Sequence, residues 1–240
     1  MERHGIDMMQ TIGIRIACLA VGYAFGLIQT SYILGRRSGI DIRKYGSGNA
    51  GTTNTLRVLG RKAGLIVFLC DILKAFAAVT LVYYLIPGLF GEQYQEQMYL
   101  FKLYTGLGVI LGHNYPFYLK FQGGKGIAAM GGTILGFHGF FALTGFIIFF
   151  GTFFLSHYVS LASLVLSAGF FVEMLIFGIG KIGTFASVPE SVLLEMYIVT
   201  FIISAMAFVR HHENIRKLLK GEERKTYLGK KKPEQTSESK

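Results

Sequence analysis

Two glycine-rich stretches in this 240-residue sequence carry the residue types needed to hold an anion. The first, 45–57, sets Gly46, Gly48 and Gly51 among Ser47, Asn49, Thr53, Asn54 and Arg57. Glycines let the backbone turn tightly and aim successive N–H groups at one point. Asn54 and Arg57 are three apart, so on a helix they share a face, and a guanidinium there can grip a phosphate through two bonds. The glycines match G-x-G-x-x-G, and Asp71 follows about twenty residues on, but a dinucleotide fingerprint needs a preceding strand and a soluble βαβ unit. Here the stretch is basic and leads into an apolar run that contains Asp71. The second stretch, 112–126, places Gly123, Gly124 and Gly126 around Lys125 just before another apolar run. Exposed N–H groups at a helix start, together with a lysine, attract an anion. It is not a Walker A loop, because Leu119 stands where the first glycine belongs and Gly126 replaces the Ser/Thr. His113 suits either a buried, satisfied histidine or a ligand contact.

Two further clusters are weaker alone. Ser160 and Ser163 are three apart and can face the same way, although serines in membrane helices usually bond their own backbone or a neighbouring helix. His211 and Asn214 would share a face in 210–223, a segment whose basic residues are expected beyond a last span in any case. Asp71 and Lys74, spaced for a pair, lie inside an apolar run, where ionisable groups are costly and face a bundle interior. The spacing fits a structural clamp or a pair that points toward the site, and the clamp is the favoured reading. Cys18 and Cys70 fall in apolar runs and point to neither a disulfide nor a metal site.

The elements that must position these residues are membrane helices. The composition is 52% hydrophobic and only 16% charged, and the mean hydropathy is +0.46. A soluble domain carries roughly a quarter charged residues. Crossing a ~30 Å hydrocarbon core takes roughly 20 apolar residues at ~1.5 Å rise each. Seven spans are expected, at 9–34, 63–89, 98–119, two short helices from 127–155 divided at Phe137, His138 and Gly139, then 160–179 and 192–209. The runs lack the alternation of a transmembrane barrel, so the fold class is all-α and polytopic. The first run reads as a retained span rather than a signal peptide. Of the 24 lysines and arginines, seven lie in 36–62, two at 120 and 125, and ten from Arg210 onward, all on one side of this topology. The positive-inside rule then puts the N-terminus outside and the C-terminus in the cytoplasm. The net charge of +10 follows from topology and contact with anionic lipid heads rather than nucleic acid. Residues 222–240 are polar and lysine-rich and read as a disordered tail. Gly22 with Gly26, and Gly132 with Gly136, have the spacing of close helix contacts.

All four clusters fall on one side, two of them shaped as phosphate cradles beside an apolar region. That arrangement suits joining a water-soluble phosphate compound to a lipid. Residues 46–57, 112–116 with 123–126, 159–163 and 210–223 resemble the signature segments of the bacterial acyl-phosphate:glycerol-3-phosphate acyltransferase family of PlsY type. Their order and spacing make the likeness specific over about residues 20 to 225. The resemblance implies a seven-helix enzyme of the bacterial inner (cytoplasmic) membrane, with residues 1–225 as one transmembrane domain and 226–240 as a cytoplasmic tail. It implies transfer of a fatty acyl group from acyl phosphate to the sn-1 hydroxyl of glycerol 3-phosphate. The products would be lysophosphatidic acid and inorganic phosphate, with no cofactor and no metal. The bilayer and the other enzymes of phospholipid synthesis would be its surroundings. By motif, Ser47, Asn54, Arg57, Lys125, Ser163, His211 and Asn214 would line the catalytic pocket, Gly123, Gly124 and Gly126 would help hold glycerol phosphate, and Glu223 would be a structural tail residue. The chain departs from the family pattern at Thr52, Ala75 and His157. The first two are small changes, whereas His157 takes a permanent positive charge from its turn.

Acyl phosphate is already activated, so proximity and charge stabilisation are the main requirements. Arg57 and Lys125 would neutralise phosphate charge, and the Ser47 region would stabilise oxygen atoms. His211, His113 or a substrate phosphate could take the hydroxyl proton. The competing class is a transporter for a small phosphorylated organic anion, but no internal repeat is visible and the glycine motifs lie at the interface.

Overall fold

The structure, a computed structural model, describes residues 8–227. Within them the chain is helical without strands: α1 (Met8–Gly26), α2 (Thr30–Arg37), α3 (Thr52–Phe90), α4 (Met98–Asn114), α5 (Ile127–Phe137), α6 (Gly139–Ser156), α7 (Val159–Ile179), α8 (Glu190–Arg210) and α9 (His212–Leu219). Residues 222–227 have no regular secondary structure, but Glu223 and Thr226 are bonded to the helical body, which departs from the expectation of a disordered tail from residue 222; the rest of that tail lies outside the described residues.

The apolar runs form the expected helices, with instructive differences at their ends. Five segments are long and apolar enough to cross a membrane: Met9–Arg37, Thr52–Phe90, Gly139–Ser156, Val159–Ile179 and Glu190–Arg210. The first is broken after Gly26, where Gln29 folds inward and its amide donates to the carbonyls of Gly26, Gly112 and His113 at 3.2, 3.3 and 3.0 Å. α3 starts eleven residues before the expected span because an additional helical segment precedes Gly60. Gly60 has φ 86°, a left-handed conformation open to glycine, and breaks the helix there. Gly64 then sits so close to Leu56 that an added Cβ would lie 2.6 Å from the leucine Cβ. This elbow carries 52–59 across the end of the bundle. α4 stops at Asn114 rather than near residue 119. The division of 127–155 falls at His138, as expected, whose ring accepts a hydrogen bond from the Phe140 amide. α5 has eleven residues, about 16 Å of helix, too little to cross a bilayer core by itself.

Packing depends on small residues, because helices in lipid gain little from apolar burial and associate through close van der Waals contact. α1 and α4 cross backbone to backbone: a Cβ on Gly22 would lie 2.0 Å from the Thr105 carbonyl oxygen, and one on Gly112 would lie 2.3 Å from that of Tyr23. α5 meets α3 in the same way, with Gly132 against the Ile72 carbonyl at 2.1 Å. Both expected glycine pairs are therefore contact sites, joined by Gly108 and Gly112 on α4. Phe137, Phe141 and Phe170 meet edge to face at one end of the bundle, with ring centroids 5.4 Å apart for Phe137 and Phe141, and Phe185 stacks on Phe141. Leu69, Leu73, Phe146, Ile147, Leu194 and Phe201 point outward as an apolar belt. The opposite end holds the polar clusters.

Candidate active site

At that end a cavity of about 990 Å³ opens between the glycine turns, α3, α6, α7, α8 and α9. The first turn is held by one buried side chain. Asn54 accepts a hydrogen bond from the Ser47 amide at 2.8 Å and donates to the carbonyls of Ile42 and Tyr45 at 3.1 and 3.0 Å. Its role is to shape the loop as much as to line the cavity. Gly46 and Gly48 take φ values of 63° and 72°, and a Cβ on Gly46 would lie 2.2 Å from Asn54 Oδ1. Ser47, Asn49, Thr53 and Arg57 follow along the wall, Arg57 carried over the opening by the segment before Gly60.

The second turn is packed on the end of α4. The amides of Gly123 and Gly124 donate to the carbonyls of Asn114 and His113, each at 3.1 Å. A Cβ at Gly123 would come 2.0 Å from the His113 carbonyl oxygen, and one at Gly124 would come 2.1 Å from His113 Nε2. Gly126 adopts φ 78° at the N-cap of α5. The glycines are thus required by space and by backbone angle. Arg43 ties the two turns together: Asp41 holds it in a bidentate pair, and it donates to the Leu119 carbonyl at 3.0 Å. The pair holds the Asp41 carboxyl down at about 2.

The remaining walls come from the C-terminal half. Lys125 donates to Asn214 Oδ1, and Asn214 in turn donates to Glu223 at 2.8 Å. Ser160 donates to the same carboxylate oxygen at 2.9 Å. Ser163 donates back to the Val159 carbonyl at 2.7 Å, the self-bonding common for helical serines. His211 Nδ1 lies 2.7 Å from the Ala207 carbonyl, which can only accept, so the proton sits on Nδ1 and Nε2 keeps a lone pair. Burial, with Lys125 nearby, pushes this imidazole down to about 4, so it is neutral at physiological pH. Burial likewise lowers Lys125 to about 8, against the pull of Glu223.

Of the sequence-expected residues, Gly124 and Lys74 stand just behind the wall, and the others border the cavity. Asp71 and Lys74 do pair, at 2.7 Å, both buried. Arg210 is the main residue the sequence reading passed over. Its guanidinium donates to the carbonyls of Gly123 and Gly124 at 3.3 and 2.9 Å, clamping the second turn from α8. As a basic residue after a last span it carried no distinctive signal. Thr52 also borders the cavity, with its hydroxyl buried and unpartnered within the protein. His157 caps α6 at φ 62°, its carbonyl accepts from the Thr226 amide at 2.8 Å, and its ring lies tilted against Tyr227 with centroids 4.7 Å apart. Ala75 is fully buried against Gly132. Leu65, Phe68, Phe149, Phe150 and Phe153 make one side of the cavity apolar.

Residues 16–221 match the family model described as glycerol-3-phosphate acyltransferase. A glycerol-3-phosphate acyltransferase of Macrococcus caseolyticus is 36% identical over 208 residues, spanning 86% of this chain and 94% of its own. One from Chlorobium phaeobacteroides is 37% identical over 222 residues, with 87% and 94% covered. The fold is similar to crystal structures of PlsY, an integral membrane glycerol 3-phosphate acyltransferase. Its glycerol 3-phosphate form matches with a TM-score of 0.73 at 31% identity, over 89% of this chain and 96% of that one. Its lysophosphatidic acid form matches with a TM-score of 0.70 at 30% identity.

Proposed function

This chain belongs to the glycerol-3-phosphate acyltransferase family and is a membrane acyltransferase, and from that premise we propose the donor, the orientation and the residue roles. The acyl donor is an acyl phosphate, and the acceptor is the sn-1 hydroxyl of glycerol 3-phosphate. The observation that carries this reading is the meeting of both glycine turns, with Arg57 and Lys125, at one cavity that has an apolar wall. Two phosphorylated substrates need two cationic cradles. The acyl chain needs the side formed by Leu65, Phe68 and Phe153. PlsY itself has been captured in forms with glycerol 3-phosphate and with lysophosphatidic acid, the acceptor and product of this reaction.

Seven helices alternate in direction through the bilayer, α1 and α3 to α8, the short α5 reaching only part of the way across, with the cavity toward the cytoplasm of the bacterial cell. The basic residues concentrated in 36–62 and from Arg210 onward support that orientation. The shortness of α5 sinks its N-terminal glycine turn into the bilayer, where water-soluble and lipid substrates can meet.

In the reaction the hydroxyl oxygen attacks the acyl carbonyl, the carbonyl–phosphate C–O bond breaks, and inorganic phosphate leaves. Arg57 and Lys125 neutralise the phosphates and align the reacting groups, and the glycines let the substrates approach the turns closely. Nε2 of His211 is an acceptor for the attacking hydroxyl. With a pKa near 4 it is too weak a base to hold the proton, which ends on the far more basic departing phosphate. The Ser47 hydroxyl stabilises oxygen charge, Ser160, Ser163 and Asn214 line the phosphate side, and Glu223 keeps Asn214 in place.

The test is incubation of pure protein in detergent with acyl phosphate and labelled glycerol 3-phosphate. Labelled lysolipid and equimolar phosphate are expected. A carrier would yield neither, because transport needs a sealed compartment.

A further inference from the structure

The Asp71–Lys74 pair lies in the wrong place for a clamp between two helices, since both residues belong to α3, three positions apart. What the lysine reaches across to is His113 on α4. Lys74 Nζ is 2.9 Å from His113 Nδ1, 2.7 Å from the Ile28 carbonyl and 2.7 Å from Asp71 Oδ1. Lys74 is 5% exposed and His113 3%. An ammonium has hydrogen-bond donors only, so the ring nitrogen facing it is an acceptor; Asp71 Oδ1, the other group facing that nitrogen, stands at 3.6 Å, beyond hydrogen-bond reach. The proton of the neutral ring is then on Nε2, the atom against Gly124, and His113 itself borders the cavity. The Gln29 amide, bonded to the His113 carbonyl at 3.0 Å, holds the residue's backbone as well. His211 on α8 has the opposite tautomer, its Nδ1 proton spent on Ala207.

We propose that Lys74, held by Asp71, is a positioning residue that fixes His113 in the Nε2–H tautomer, so that the ring presents a neutral, immobile hydrogen-bond donor to a substrate phosphate beside the Gly123–Gly126 turn. The same contact removes His113 as a base, because its only lone pair faces an ammonium. The cavity thus holds two neutral imidazoles with opposed tasks: His113 gives a proton in a hydrogen bond, and His211 accepts one. This assignment rests on the acyltransferase reading only for the identity of the phosphate; the tautomers are properties of the protein without substrate.

The experiment labels the histidines with ¹⁵N and records the ring nitrogens of purified protein in micelles, with His113→Gln and His211→Gln used to assign signals. His113 is expected to show a protonated Nε2 and an unprotonated Nδ1, and His211 the reverse. A protonated Nδ1 at His113 in the wild-type protein would overturn the proposal even if the protein acylates glycerol 3-phosphate normally. Absence of product with intact tautomers would instead sink the acyltransferase reading. Since Lys74→Met alone leaves a buried carboxylate and can fail to fold, the working variant is the neutral pair Asp71→Asn with Lys74→Met. In it His113 should become a tautomer mixture, and KM for glycerol 3-phosphate should rise about tenfold, with kcat changed less than threefold. His113→Gln keeps an N–H donor at similar reach and should retain most binding, whereas His113→Leu should not. Equal KM in the Gln and Leu variants would show that the donor is unimportant and overturn the assignment.

Discussion

Cations that face the cavity and cations at the far end of the bundle are held in opposite ways, whereas Arg43 and Lys74, which do not border the cavity, are paired with Asp41 and Asp71. At the end away from the cavity every described cation has a partner suited to permanence. Arg15 is held bidentately by Glu195 at 2.6 and 2.7 Å, Tyr104 donates to the same carboxylate, and Lys181 meets Glu190 at 2.8 Å. Lys102 stands over the rings of Tyr83 and Tyr99, 4.5 and 5.4 Å from their centres. At the cavity, Lys125 and Arg210 are bonded to an amide oxygen and to carbonyls, and Arg57 and Lys125 form no salt bridge among the described residues. A paired charge contributes to structure. A desolvated cation offered only neutral acceptors retains attraction for an incoming anion.

If that contrast is right, substitutions at the cavity end should damage catalysis and those at the far end should damage stability. The largest loss is expected for Arg57→Lys, where a point charge replaces a two-pronged grip: kcat/KM should fall by about 100-fold or more while the melting temperature holds. Wild-type turnover in folded Arg57→Lys protein would erase the distinction between the ends.

Next come substitutions that move the second turn. Gly124→Ala forces its Cβ into His113 Nε2 and should lower kcat/KM by about tenfold to 100-fold, with a cost of about 1–3 kcal/mol in stability. Gly131→Ala on α5, where nothing lies within 4 Å, is the control and should be neutral or slightly stabilising. Arg210→Gln withdraws a charged donor from two carbonyls and should raise KM for glycerol 3-phosphate several-fold, measured by initial rates across acceptor concentrations.

A smaller effect concerns pH. Lys125 titrates near 8, so its charge is full below that value and is lost as pH rises through it. The profile of kcat/KM for glycerol 3-phosphate should therefore decline above about pH 8, and Lys125→Arg should remove that decline even if the overall rate is lower. His211, neutral above about 4, should add no step between pH 6 and 8. The smallest catalytic effect belongs to the far end. Arg15→Met should lower thermal stability by leaving Glu195 unpaired, Arg15→Met with Glu195→Gln should restore much of it, and neither should alter KM by more than about twofold.

Much of the architecture was legible because the bilayer constrains it so heavily. Apolar runs of sufficient length must be helices, and the break at His138 could be read from its flanking Phe137 and Gly139. Arg57, Lys125 and the glycines between them were legible because few other combinations of backbone freedom and charge occur in a membrane chain. The elbow at Gly60 was not, since a single glycine between polar residues gives no sign of its φ. Nor was the inward turn of Gln29, which depends on carbonyls of α4 more than eighty residues away.

The sequence by itself determined the helical fold class, the clustering of the basic residues and the composition of the two glycine-rich turns. These follow from local rules: helix length against bilayer thickness, residue charge, and the φ range open to glycine. Only the tertiary structure decided that the turns share one cavity, that Arg210 clamps the second of them, and that Nδ1 of His113 faces Lys74 while Nδ1 of His211 faces the Ala207 carbonyl. Those facts depend on atoms from α3, α4 and α8 coming within hydrogen-bond reach of each other, and no spacing along the chain encodes a distance between helices.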